Sequence, residues 1–281
     1  MRTVRVIALS VVASALLTSG QLWVARAADI VRPAQDYSAG NDSWPFQQFL
    51  LAWYTASAVA GAAGWAVLAG GDASPPSRRW MIRVAAALSA GAGGVVAAPM
   101  AYAWSAGAVS VADTAAVGVR AVVVGLIAGV VAALAVSAGP AARRGYAVWI
   151  AWTWATALLW TWRGWSATPF GLPATAQNHT VAEWLALFAP LLVFAGIGVW
   201  CGLRKDRSPI AAGLTAPVLL CAVSTILVQF NGGTGDHYNP STEAVVWFLL
   251  SGVGGGVTVA IWAAIRWWRL IFPVTAERPD R

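Results

Sequence analysis

Apolar positions along this chain fall in long unbroken runs, separated by short polar stretches rich in arginine, glycine and proline. A helix needs about 20 apolar residues to cross the hydrocarbon core of a bilayer. Eight runs meet that length: 4–24, 46–69, 80–106, 112–138, 146–165, 181–203, 209–230 and 244–268. Their apolar residues cover every face of the helix, as suits a segment solvated by lipid tails. The alternation with period two that builds membrane barrels is absent. The pattern predicts an all-α polytopic transmembrane bundle with about eight spanning helices, a single integral membrane domain over residues 1–281. No loop is long enough for a separate soluble domain. Residues 269–281 form a short tail.

The basic residues set the direction of each span. Arg2 and Arg5 precede the first run, Arg78, Arg79 and Arg83 the third, Arg143 and Arg144 the fifth, and Arg204, Lys205 and Arg207 the seventh. Arg266, Arg269, Arg278 and Arg281 follow the eighth. Every second loop is therefore basic, whereas the other side holds only Arg26, Arg32 and Arg163. The positive side is the cytoplasm, which predicts cytoplasmic N- and C-termini. The N-terminus has a second reading. Arg2 and Arg5, the apolar stretch 6–17 and Ala25-Arg26-Ala27 match a cleavable signal peptide. Cleavage would leave seven helices and an outside N-terminus. The continuation Leu22-Trp23-Val24 favours a first spanning segment over 1–27.

Composition agrees with a membrane setting. Apolar residues make up 59% of the chain and charged residues 10%, where a soluble domain carries about 25% charged. The net charge of +7 comes from those loop clusters, so the lipid bilayer is the expected partner and nucleic acid is not. The bias to Arg, Ala, Gly and Trp points to a bacterial cell membrane. Many of the 18 tryptophans fall near run ends, where an indole sits well at the headgroup level. Trp152, Trp154, Trp160 and Trp162 extend into the fifth run, where they serve packing or line a site for a flat or sugar-like ligand. Cys201 and Cys221 lie at different depths, too far apart for a disulfide or a metal pair, and no cofactor is expected.

Small residues are spaced for close helix contact: Gly125-x-x-x-Gly129 in the fourth run, Gly252-x-x-x-Gly256 in the eighth, and Ala90, Gly91, Gly93 and Gly94 in the third. Such faces let backbones approach, within the bundle, in a homo-oligomer or against a membrane-protein partner. Pro99, Pro190 and Pro217 interrupt runs and are expected to kink them.

Candidate chemistry is sparse. No carboxylate or histidine falls at midplane, which argues against a proton-driven pump. Arg120 is the one charge well inside a run. It either snorkels to the outer interface near Asp113 or contacts an anion or lipid phosphate. The predicted outer loops hold both histidines. His179, Glu183, Asp236, His237 and Glu243 form a candidate outer-face site for general acid–base work, or for a metal if the loops converge. No spacing in the chain is diagnostic of a metal motif, however. Thr180-Val-Ala-Glu183 also fits a helix capping box, and Asn239-Pro240 with Glu243 fits another helix start. Asn178-His179-Thr180 matches a glycosylation sequon.

Three functions fit this pattern. A transporter or permease component suits the prolines and glycine-rich packing. An accessory or assembly protein without catalysis suits the apolar core. A membrane enzyme with an outward-facing site, acting on a lipid-linked or envelope substrate, suits the outer His, Asp and Glu residues.

Overall fold

The first helix, α1 (Arg2–Ala27), ends by a backbone device rather than by running out of apolar residues. Asp29 adopts φ 58°, a left-handed conformation that asparagine and aspartate tolerate better than most side chains. The Asp29 N–H donates to Arg26 O at 3.0 Å and the Ile30 N–H to Ala25 O at 2.8 Å. This paired reach-back satisfies carbonyls that a helix end otherwise leaves open. The reversal carries Ile30 and Val31 into the core. The Arg32 N–H then donates to Gln47 Oε1 at 2.7 Å, tying the turn to the next helix.

The computed structural model describes residues 2–33, 43–70, 76–106, 114–162 and 210–230, with isolated helical positions within 192–201 and 261–271. Among the described residues every regular element is a helix. α2 spans Ser43–Ala69, α3 Pro76–Gly94, α4 Ala97–Ser105, α5 Thr114–Val136, α6 Pro140–Trp162 and α7 Ile210–Phe230. Proline opens α3 and α6 and lies in the first turn of α2, where the missing N–H removes no helical hydrogen bond.

Four stretches are long and apolar enough to cross a membrane: Thr3–Ala27, Gln47–Ala69, Arg79–Ser105 and Ala115–Val136. They coincide with the first four runs read from the sequence. The fifth run lies largely within α6 and the seventh matches α7. Most of the sixth and eighth runs lies outside the described residues, as do Pro190 and the Gly252–Gly256 motif. The third stretch is interrupted between α3 and α4 by a turn at Val95 and Val96. Pro99 has no N–H to give Val95 O, and that carbonyl accepts from the Ala98 N–H at 2.9 Å instead. The expected proline kink therefore lies one turn before the ring. Pro217 sits within α7, which continues through it.

α1, α2, the α3–α4 pair, α5 and α6 alternate in direction, whereas α7 starts at the same end as α6, with Ala212 against Gly145. At one end of the bundle Val6 of α1 meets Gly70, just past α2. There Arg83 of α3 donates through Nη2 to Ala138 O, beyond α5, at 2.8 Å, a cation at a helix C-terminus. Arg144 of α6 stacks on Trp200 5.2 Å from the ring centroid. At the other end Arg26 of α1 stacks on Trp104 of α4 at 4.8 Å, and Ser105 faces Gly118 of α5. Arg5, Arg79, Arg83, Arg143 and Arg144 thus belong to one basic end, as the alternating loops predicted.

α2 is the central helix. It packs on α1, α3, α5, α6 and α7, most extensively on α5. Its residues Ala52, Ala56, Ala60, Ala63 and Ala66 are fully buried. The predicted close contact of Gly125 and Gly129 is made here. A Cβ at Gly125 would fall 2.5 Å from Ala52 O, and one at Gly129 2.9 Å from Ala56 O. α1 is part of the same packing. Leu22 and Ala25 are buried, and Gly93 of α3 lies against the Val11 backbone.

The tryptophans divide between surface and core. Trp80, Trp162, Trp267 and Trp268 are exposed, as interfacial residues would be. Trp53 and Trp149 also lie near run ends, where a belt position is expected, but are 1% and 2% exposed. Trp53 stacks on Phe49 with ring centroids 6.2 Å apart. Trp154 lies against Tyr54 at 5.0 Å. Proximity to a run end sets a tryptophan's depth but leaves open which way its ring faces.

Candidate functional site

A helix surrounded by lipid gains nothing from leaving polar side chains in the hydrocarbon, so each buried one needs a partner. α1 carries one amide within its apolar run, Gln21, and α2 carries Ser57 opposite it. Ser57 Oγ lies 3.0 Å from Gln21 Oε1 and 3.0 Å from the Tyr54 carbonyl oxygen. Its single proton is shared between two acceptors. The Tyr146 hydroxyl of α6 donates to the Ser57 carbonyl oxygen. Three helices are thereby joined at one point of α2.

The same residues line the end of a groove. It has a volume of about 750 Å³ and runs between α1 and α6, with α2 as its floor. Ala13, Leu16 and Leu17 form the α1 wall and Ala147, Ile150 and Ala151 the α6 wall. Two α2 glycines shape the floor. At Gly61 a Cβ would meet the Tyr146 ring at 3.2 Å, and at Gly64 one would lie 2.7 Å from Val136 and 3.7 Å from the Arg143 stem. The missing side chains let the Tyr146 ring and the Arg143 methylenes lie against α2. Leu16, Leu17, Trp65 and Leu68 are exposed, as are Ala147 and Ala151, so the groove opens sideways from the bundle.

The two ends of the groove differ in chemistry. Arg143 lies at the basic end of the bundle. The Gln21–Ser57–Tyr146 cluster sits deeper, because Ser57 and Gly64 are separated by about 10 Å of helical rise. Between them the lining is apolar. A cation at the mouth, a neutral polar cluster within and hydrocarbon between give the groove an amphiphilic lining. Volumes of about 300–1,000 Å³ are usual for small-molecule pockets.

The residues singled out from sequence are distributed differently. Arg120 of α5 is exposed, away from the groove lining, while Asp113 lies outside the described residues. His179, Glu183, Asp236, His237 and Glu243 also lie outside them. Among the described residues no three His, Cys, Asp or Glu side chains come together. Cys201 and Cys221 are not joined in a disulfide. Trp152 is packed against the core, and Trp162 at the end of α6 is exposed.

Sequence reading passed over Gln21, Ser57 and Tyr146. A search for charged residues at midplane misses neutral ones, although a glutamine inside an apolar run carries much of the same signal. Arg143 was used only as a marker of orientation. No family model, curated protein or solved structure matches this chain.

Proposed function

We propose that the chain is a multi-pass protein of the cytoplasmic membrane with eight spans and both termini in the cytoplasm. It works as a transporter or permease component for a substrate that reaches it through the bilayer. The observation that supports this reading is the groove between α1 and α6, which opens sideways and holds polar groups at two depths. An aqueous substrate has no need of an apolar lateral mouth, whereas a membrane-dissolved amphiphile must pass one. Residues 1–27 are retained as the first span, since α1 supplies one wall of the groove.

An accessory role is the second reading. The filled alanine and glycine seam between α2 and α5 supports it, because a rigid bundle serves assembly as well as transport. In that case a partner helix would seat against the groove. The reading as an enzyme acting on a lipid-linked or envelope substrate rests on the outer-face histidines and carboxylates, which lie outside the described residues.

The test uses the full chain reconstituted in vesicles containing a fluorescent short-chain phospholipid. An impermeant reductant bleaches the outer leaflet and reports redistribution between leaflets. Faster redistribution than in protein-free vesicles is expected, with loss of the gain in Ala151→Trp, which fills the groove from its exposed wall. A protein that leaves the rate unchanged would remove transport and leave the accessory reading.

A further inference from the structure

The groove has the length of one leaflet. Leu68 lies at the inner end of α2, one residue before the helix stops at Ala69. From Leu68 to Ser57 the helical rise is about 16 Å. The hydrocarbon core is about 30 Å thick, so the Gln21–Ser57 pair falls close to the midplane. Arg143 stands at the opposite limit of the groove, with its aliphatic stem against α2 at Gly64. From this depth an arginine side chain is long enough to snorkel toward the inner-leaflet headgroups.

We propose that the groove holds one acyl chain of an anionic phospholipid from the inner leaflet, with Arg143 binding the headgroup phosphate. The Gln21–Ser57 pair marks where the chain ends. The assignment rests on the orientation given under Proposed function and adds the class of molecule. Three features select this occupant. Between its two polar ends the described lining is alkyl side chains with the faces of Trp65 and Tyr146, which suit a chain and give a sugar or peptide little to bond. Among the described residues the one charged side chain in the lining is a cation, and a guanidinium pairs with phosphate oxygens in a fork. The basic end of the bundle faces the leaflet that carries anionic lipid. Arg144, the next residue, stacks on Trp200 and is absent from the described groove lining. Two adjacent arginines of equal charge therefore have different predicted roles.

That difference supplies the experiment. The full chain is reconstituted in phosphatidylcholine bilayers containing nitroxide-labelled phosphatidylglycerol or phosphatidylcholine. Electron spin resonance then measures the motionally restricted lipid fraction. The unmodified protein is expected to prefer phosphatidylglycerol, and Arg143→Gln to lower that preference about fivefold, the weight of one arginine near a membrane surface. Arg144→Gln is expected to keep most of it. Ala147→Phe with Ala151→Phe fills the groove from its exposed side and is expected to remove one restricted lipid per protein. Excess inorganic phosphate is expected to leave the restricted fraction unchanged, since the chain supplies most of the binding. Equal losses in Arg143→Gln and Arg144→Gln would overturn the proposal, because general surface charge would then explain the preference. An unchanged restricted fraction in the double phenylalanine variant would overturn it independently. Lipid retained as expected without redistribution between leaflets would sink the transport reading alone.

Discussion

Gly129 of α5 faces Ala56 of α2 across a contact with no room for a methyl group. A Cβ built on it would lie 2.7 Å from Val59 Cβ and 2.9 Å from Ala56 O. Neither neighbour is the far end of a flexible side chain, so the helices themselves would have to part. Gly129→Ala is expected to destabilise the bundle by about 1–3 kcal/mol, the usual cost of overpacking a filled core. Gly20 of α1 provides the contrast, since nothing lies within 4 Å of its Cβ position. Gly20→Ala is expected to stabilise α1 by up to about 1 kcal/mol through helix propensity alone. Thermal unfolding of the two variants in detergent, followed by the loss of monodisperse protein, should move in opposite directions. A neutral Gly129→Ala would mean that the α2–α5 seam is looser than this geometry.

How much of this was legible beforehand depends on what each signal measures. Run length and arginine placement depend on transfer from water to lipid, a property of each segment by itself. The positions of α1, α2 and α5 and the basic end were therefore readable. Gly125 and Gly129 were also readable as a close-contact face, because a missing side chain has the same consequence against any neighbour. The partner helix was not readable, and neither was the groove. The groove exists because α1 and α6 both lie on α2 without filling the space between them. It thus depends on three segments whose mutual placement no local pattern encodes. Trp53 and Trp149 show the same limit, since interfacial and buried tryptophans have equally apolar neighbours in sequence.

Asp29 holds the end of α1 in a conformation that glycine adopts without strain. Its carboxylate also pairs with Arg32 Nη2 at 2.7 Å, but both side chains are substantially exposed. An exposed pair of this kind contributes little. Asp29→Gly should therefore leave stability within about 1 kcal/mol of the parent. Asp29→Val should lower it by about 1–2 kcal/mol, because a β-branched side chain is poorly accommodated at positive φ. Ile30 and Val31 are buried just beyond the turn, so the valine variant should also raise proteolysis in the segment after α1. Equal behaviour of the two variants would show that the turn does not depend on backbone conformation.

Ser14 and Thr18 lie one turn apart on the buried face of α1, and neither hydroxyl has a hydrogen-bond partner among the described residues. A buried polar group left unsatisfied costs about 1–3 kcal/mol. Ser14→Ala removes that cost and the small side chain still fits beside Gly94, whose Cβ position lies 3.5 Å from Ser14 Oγ. Thr18→Val keeps the shape and removes only the hydroxyl. Each is expected to raise the melting temperature in detergent, with a gain of about 1 kcal/mol. A loss of stability in both would mean that the hydroxyls hold water or a ligand inside the bundle.

The orientation of the whole chain, on which the leaflet assignment of the groove depends, can be tested at two turns. In sequence Asp72 follows α2, in a loop predicted to be cytoplasmic, and His237 follows the seventh predicted run, in a loop predicted to be outside. Cys201 and Cys221 are first replaced by alanine so that a single reporter remains. Intact cells carrying Asp72→Cys or His237→Cys are then treated with a membrane-impermeant maleimide. His237→Cys should label directly, and Asp72→Cys only after permeabilisation, because the arginine-rich loops remain on the cytoplasmic side. The reverse result would place Arg143 and the mouth of the groove at the outer leaflet. Labelling of both from outside would mean an even number of crossings between them instead of five, and the eight-span arrangement would fail.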